Sequence, residues 1–374
     1  MTELPKGWRI ATLEEVAEDI NKRVDDPSNS GYERFVGLEH FQSGELTIKK
    51  WGSTQDVESS MKIFQKGDLL FARRNAYLKR ASMVDFDGVC SGDAFVLRQK
   101  PEILVENYLP LIFNTESLWD YAISHAAGSM SKRVKWRDLK EYEFPLPPIE
   151  EQRKIAEFLW AVEDTINKSE DANRITEKFR KILFHKLSFS GEKTNLGSLI
   201  KEREEVSRPP HSLDKYVGLE HIESGSLKLT KYKDSMNVKS VSSIFYPGDL
   251  LYGKLRPNLD KSVISNFQGI CSGEILVLQS NKKTLNEYLL HLFHSKQFIQ
   301  YNTHLAYGTK MPRTSFDIIS KYSFYLPSLN EQKRILGIIF KIVTIEQKLH
   351  DSISNLKRLK KFLVNKYLNC ERKI

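Results

Sequence analysis

What this chain lacks narrows its chemistry. Its three cysteines are too few, and odd in number, for a disulfide framework, which suits a reducing cytoplasm. No run of about 18 apolar residues exists, so no membrane span is expected. The start, Met1-Thr2-Glu3-Leu4-Pro5, is polar and acidic and has no signal-peptide core. Neither phosphate-cradling loop, Gly-x4-Gly-Lys-Ser/Thr or Gly-x-Gly-x-x-Gly, occurs. There is no His-Glu-x-x-His or Cys-x-x-Cys pair to hold zinc. The Asn/Asp-Pro-Pro-Tyr stretch of an amino-methyltransferase is missing too. Together these absences count against several enzyme classes.

An excess of one charge sign is also scarcer than the total suggests. The net charge is +9. From Ser328 to Ile374 there are eleven Lys and Arg against four Asp and Glu, so this segment alone carries +7. Pro148–Ser188 has eight of each and is neutral. Only +2 remains for everything else. Any nucleic-acid reading must rest on local cationic clusters, not on overall basicity. Hydrophobic content of 40% and charged content of 28% are ordinary for a soluble globular chain.

What is present is a domain-sized repeat. Val36-Gly37-Leu38-Glu39-His40 returns 181 residues later as Val217-Gly218-Leu219-Glu220-His221. At the same offset Gly67-Asp68-Leu69-Leu70 returns as Gly248-Asp249-Leu250-Leu251, and Cys90-Ser91-Gly92 as Cys271-Ser272-Gly273. After a slip to 180, Phe144-Pro145-Leu146-Pro147 matches Phe324-Tyr325-Leu326-Pro327, and Glu151-Gln152 matches Glu331-Gln332. With 374 residues, two copies of one domain are expected, each large enough for its own core. The matched Cys90 and Cys271 read as small core residues, ahead of ligands or nucleophiles. Glu39, His40, Glu220 and His221 read as structural hydrogen-bonding groups, ahead of acid–base chemistry.

Each repeat reads as α+β. A short helix is expected at Leu13–Ala17. Period-two alternation predicts strands at Glu45–Lys49 and Ser226–Thr230. Turns at Gly67-Asp68 and Gly248-Asp249 lead into apolar strands, and Ala94–Leu97 and Ile275–Leu278 read as buried strands. Helical stretches follow around Tyr108–Ala122 and Tyr288–Tyr301.

A long helix follows each Pro-rich exit. In the first, Ile155, Val162, Ser169, Thr176 and Leu183 recur every seven residues, beside Leu159, Ile166, Asn173, Arg180 and Leu187. In the second, the rows are Ile335, Ile342, Leu349, Leu356, Leu363 and Ile339, Glu346, Ile353, Lys360, Tyr367. More than four heptads in each argue for a coiled coil, and the two helices are each other's most economical partners. The expected layout is domain 1 at 1–147, a helix at 148–188, domain 2 at 189–327 and a second helix at 328–374. Polar Ser169, Asn173 and Thr176 read either as a solvated stretch or as a register-setting device. The basic run Lys357-Arg358-Leu359-Lys360-Lys361 reads either as a solvated face or as a partner or phosphate contact.

Repeat-matched cationic loops are the positive functional signal. The first pair is Arg73-Arg74-Asn75-Ala76-Tyr77-Leu78-Lys79-Arg80 and Lys254-Leu255-Arg256-Pro257-Asn258-Leu259-Asp260-Lys261. The second pair is Gly128–Trp136, with Lys132, Arg133 and Lys135, and Gly308–Phe316, with Lys310 and Arg313. Arg reads guanine edges, Asn reads adenine, and Lys neutralises phosphate. Each loop alone could be an ordinary cationic surface; occurrence of both in both copies favours DNA contact. The framework residues repeat while the loop identities differ, as two different DNA half-sites would require.

With these features the chain resembles the specificity subunits of type I restriction–modification systems. The resemblance covers nearly all of it and is carried by the Gly-Asp-Leu-Leu entries, the loops starting at Gly128 and Gly308, and the exit at Phe144–Gln152 with its second copy at Phe324–Gln332. The second exit departs slightly, with Ser328 in place of Pro148. The resemblance implies two target-recognition domains and two helices packed as an antiparallel coiled coil that fixes an unread spacer. It implies a non-catalytic subunit in a prokaryotic cytoplasm, with double-stranded DNA, two methyltransferase (M) subunits and, in some systems, restriction (R) subunits as partners. No cofactor is expected on this chain; S-adenosylmethionine, ATP and Mg belong to the partners. By position, Arg73, Arg74, Asn75, Tyr77, Lys79 and Arg80, then Lys132, Arg133 and Lys135, are the DNA-contact candidates of the first copy. Lys254, Arg256, Asn258, Lys261, Lys310 and Arg313 are those of the second. Candidates for the coiled coil and for partner docking are Ile155, Leu159, Val162 and Ile166 with Ile335, Ile339, Ile342, Leu349, Ile353 and Leu356. Competing readings are a methylation-only complex, a self-sufficient methyltransferase or nuclease, and a coiled-coil scaffold without DNA readout.

Overall fold

The computed structural model describes residues 4–129, 131–188 and 190–368. Met130 of the first Gly128 loop, the first three residues and the tail after Leu368 lie outside the described residues. Two compact units form. One runs to Glu170 and resumes at Asp351, and the other spans Asp171–His350. Each therefore holds one repeat with a length of both long helices.

The two repeats fold alike. In the first, Arg9–Thr12 pairs with Glu143–Leu146. A four-stranded sheet follows, in the order Ala17–Asp19, Ala94–Gln99, Leu69–Ala72, Ala81–Met83. A five-stranded sheet has the order Arg23–Val24, Met61–Phe64, Gly88–Cys90, Arg34–Val36, Gly52–Ser53. The second repeat reproduces all three sheets, including the one parallel pairing, Lys215–Val217 on Gly269–Cys271. The shared Gly-Asp turns have a physical basis. Gly67 and Gly248 sit at φ 92° and 91°, where a side chain would be strained. Asp68 takes a two-pronged contact from Arg98 at 2.7 and 2.8 Å and accepts the Gln65 N–H. Asp249 does the same with Arg203, at 2.9 and 3.0 Å, and with the Tyr246 N–H. One acid thus closes the same turn in both copies, using Arg98 of the Ala94–Gln99 strand in the first and Arg203, just past Ile200–Glu202, in the second.

Several local expectations need correction. Glu45–Lys49 and Ser226–Thr230 alternate in burial, with Leu46, Ile48 and Leu229 inside, but each makes only a lone bridge to a neighbouring strand, Thr47 to Met83 and Lys228 to Ile264. Alternation reports which side chains are inside; it does not supply a pairing partner. The Tyr108–Ala122 stretch is two helices, Leu109–Ile112 and Glu116–Ser124, and its counterpart is Asn286–Phe293 and Lys296–Leu305. Thr115 and Ser295 break them by accepting the Leu118 and Phe298 N–H groups as N-caps.

The long helices span Ile149–Leu187 and Leu329–Leu368. Ile155 and Leu159 join Leu363, Val364 and Leu368 in the core of the first unit, which also contains Phe71, Phe95 and Trp119. Ile335, Ile339 and Ile342 join Phe184 in the core of the second, with Tyr252, Phe293 and Phe298. Each such buried side chain contributes about 1.5–3 kcal/mol. Ile166 is buried as well, whereas Val162, Leu349, Ile353 and Leu356 are half-buried.

Ser169 and Thr176 donate to carbonyls of their own helix, and Asn173 donates to Glu177, while all three stay half-buried. Buried ion pairs hold the alignment instead. Lys360 meets Glu163 at 2.8 Å in the first unit, and Arg180 meets Glu346 at 2.9 Å in the second. Most of the basic run is likewise engaged: Lys357 pairs with Glu170, and Lys361 with Glu116.

The Gln of each Glu-Gln exit docks its helix onto the domain. Gln152 accepts the Val105 N–H at 3.0 Å and donates to the carbonyls of Ile103 and Pro147. Gln332 accepts from Leu285 and donates to Lys283 and Pro327.

Candidate nucleic-acid interface

The two cationic loops of each repeat, far apart in sequence, lie edge to edge. The Asn75 N–H donates to the Lys132 carbonyl at 2.9 Å, and the Val134 N–H donates to Arg73. In the second repeat the Arg256 N–H donates to Pro312 at 2.7 Å, and the Thr314 N–H to Lys254. Four clusters in the sequence are therefore two surfaces, one per domain.

The first loop of each surface has an unusual backbone. Asn75 and Lys79 take the left-handed conformation at φ 56° and 49°. Their repeat counterparts Arg256 and Asp260 do the same at φ 50° and 53°. Between them run one-turn 3-10 helices, Ala76–Leu78 and Pro257–Leu259. Non-glycine residues reach this region at a cost of about 1–3 kcal/mol, so surrounding contacts must hold them there. The turns lift Tyr77, 64% exposed, and the exposed Asn258 off the surface.

The candidate side chains fall into two groups. Arg133 is clamped to Asp93 at 2.8 Å, and Arg313 to Glu274 at 3.0 Å. The Arg133 hydrogen bond holds the Asp93 carboxyl below its ordinary value. Arg80 donates to the Leu38 carbonyl at 2.9 Å and Lys261 to the matching Leu219 carbonyl at 2.6 Å, so both brace the Gly-Leu-Glu-His turn. Lys79 pairs with Glu116. The other group faces outward. Arg74, Lys132, Lys135, Arg256 and Lys310 are exposed, and Arg73 and Lys254 are half-buried. Arg74 is steadied by Ser131, to which its Nε donates at 2.6 Å, and its guanidinium lies 3.9 Å from the same Asp93 that clamps Arg133.

Asp93 and Glu274, which hold Arg133 and Arg313, belong to these surfaces and were missed by sequence reasoning. Each directly follows the shared Cys-Ser-Gly, and that matched acidity was the available signal. Of the other shared polar residues, Glu39 and Glu220 are exposed, and only the two histidines make structural hydrogen bonds. His40 and His221 each accept a backbone N–H, from Gly37 and Gly218, at 2.9 Å. Burial pushes the Cys90 and Cys271 thiols up to about 12, which makes them inert core residues. Among the described residues, no helix is long and apolar enough to cross a membrane, and no cluster of His, Cys, Asp and Glu could hold a metal ion.

Comparison with known proteins gives the family and the fold. The family model described as the type I restriction modification DNA specificity domain matches residues 5–177 and 224–355, well over half of the chain. The type I restriction enzyme MjaVIII specificity subunit of Methanocaldococcus jannaschii is 25% identical over 95% of this chain and 91% of its own length. The MjaIX specificity subunit of the same organism is 32% identical over 48% of this chain and 44% of its own. The EcoDI specificity subunit of Escherichia coli is 26% identical over 44% and 37%. Two solved structures share the fold. A chain from a study of type I restriction–modification assembly covers 100% of both chains at 20% identity, with a TM-score of 0.57. The type I S subunit from M. genitalium covers 98% of both at 14% identity, with a TM-score of 0.51. The chain belongs to the type I restriction–modification DNA specificity family, whose members are non-catalytic specificity subunits.

Proposed function

We propose that each repeat reads one half of a bipartite DNA site, and that the long helices set the unread spacer and dock two methyltransferase subunits. The observation that carries this reading is the doubled surface. In both repeats the same scaffold brings the same two loops together, with the same left-handed backbone, yet presents different side chains. Exposed Arg74 and Tyr77 are the proposed readers of one half-site, with Lys132 on its phosphates, and Arg256 and Asn258 those of the other, with Lys310 on its phosphates.

Helix pairing supports the spacer role. Glu163 meets Lys360 and Glu170 meets Lys357, so numbers rise along one helix as they fall along the other. Arg180 with Glu346 follows the same trend. That trend supports an antiparallel pairing of Ile149–Leu187 with Leu329–Leu368. Most of the apolar seam is taken up by the chain's own cores, so docking falls to the outward faces. Ile175, Phe179 and Ile182 are exposed on one helix; Leu359 and Phe362 are exposed on the other. Phe179 and Ile182 stand 180 residues before Leu359 and Phe362, so two like faces suit two copies of one partner. S-adenosylmethionine would then reside on those partners, with ATP and Mg on restriction subunits where a system has them.

The test is co-expression with the methyltransferase partner, followed by mapping of methylated adenines in host DNA by long-read sequencing. A two-part motif with a fixed gap is expected. A stable complex that adds no methylation would refute DNA readout and favour a scaffold. Removing matched heptads, Ala172–Lys178 and Lys348–Ser354, takes about 10 Å from each helix and should shorten the gap by up to about three base pairs. An unchanged gap in a folded variant would refute the spacer role.

A further inference from the structure

We propose that Glu116 with Lys361, and Asp260 with Lys181, are positioning residues through which each long helix sets the pose of the DNA-reading turn beside it; this rests on the reading above. Lys79 and Asp260 occupy matching places and close the two 3-10 turns in the left-handed conformation. Something must hold that backbone, and in both units the hold leads to a helix lysine. In the first unit Lys79 pairs with Glu116, and Glu116 also takes Lys361 of the C-terminal helix at 2.8 Å. In the second, Asp260 takes Lys181 of the central helix directly, at 2.9 Å, and the His294 ring at 2.6 Å.

Lys181 and Lys361 are themselves repeat counterparts, 180 residues apart. The charge at the turn has reversed between the copies, and the connection has survived the reversal. Where the turn carries Lys79, an acid is interposed between two lysines; where it carries Asp260, the residue matching Glu116 is Lys296, and the turn reaches the helix lysine itself. Two chemically different solutions to one linkage are hard to assign to chance surface pairing. Glu116 is held below the ordinary carboxylate value by its two lysines. Burial pushes Asp260 up, but His294 and Lys181 outweigh it and the net direction is down. Lys361 is 67% exposed, so its ion pair adds little stability and its contribution is geometric.

The experiment uses the full chain with its methyltransferase partner and compares methylation at matched and single-mismatch sites. Arg74→Ala identifies the half-site read by the first domain. Lys361→Met and Glu116→Gln should lower discrimination in that half-site about tenfold and leave the other half-site and the gap unchanged. Lys181→Met should do the converse, and Lys361→Arg and Lys181→Arg should behave like the parent. Unchanged discrimination, or equal loss at both half-sites, would overturn the proposal while the parent motif still stood. A parent chain that directs no two-part motif would bring down the specificity reading itself.

Discussion

Replacing Gln152 by alanine removes three hydrogen bonds made by one buried side chain. Its Oε1 accepts the Val105 N–H at 3.0 Å, and its Nε2 donates to Ile103 and Pro147 at 3.1 and 3.0 Å. The residue is 1% exposed, so water cannot replace these partners without entering the joint between domain and helix. An orphaned buried N–H costs about 1–3 kcal/mol, and the lost methylene and partly bonded carbonyls add to it. We expect about 3 kcal/mol in total. For a unit of roughly 200 residues this lowers Tm by about 6–12 °C. Calorimetry of the whole chain should show the transition of the unit holding the first repeat moving down and the other standing still. Gln332→Ala should produce the converse, because Gln332 makes the matching bonds to Leu285, Lys283 and Pro327. A loss below about 1 kcal/mol in both variants would refute the view that this glutamine pins the helix to its domain.

Three further outcomes are expected. Lys360→Met leaves Glu163 buried without its cation and should cost about 3 kcal/mol in urea unfolding, while the double variant Lys360→Met/Glu163→Leu should recover most of it; no recovery would show that the pair is not the source of the loss. His291 is held down to about 3 by burial and then by Arg180, so the folded state refuses a proton that the unfolded chain accepts below about 6.5. Its stability contribution is present above that value and falls as pH drops, by on the order of 2 kcal/mol at pH 5; His291→Leu, which installs the residue of the first repeat, should flatten the urea midpoint between pH 7 and 5. Lys132→Ala should weaken binding alike across sequences and reduce the slope of log affinity against log salt by about one in anisotropy titrations; an unchanged slope would remove Lys132 from the phosphate contacts.

Much of this was legible in the residues because it is local or repeated. Heptads spaced along Ile155–Leu187 and Ile335–Tyr367 announce long helices, since helical periodicity needs no distant partner. The matched loops announce two equivalent surfaces, since duplication is visible without a fold. Less legible was the fate of individual cations. No local pattern shows that Arg133 is held by Asp93, 40 residues away. Nor does it show that Arg80 and Lys261 each brace a carbonyl of the Gly-Leu-Glu-His turn.

By itself the sequence determined the two-copy architecture, the two helices and the candidate loops, because propensity, period and repetition act over neighbouring residues. Only the tertiary structure decided that two loops form one surface, that Lys79 and Asp260 hold left-handed corners tied to helix lysines, and which arginines are clamped to a carboxylate. Those outcomes depend on which groups meet after the chain has folded. An arginine clamped through its Nε to a carboxylate has fewer N–H groups left to offer DNA, and no local pattern records the partner.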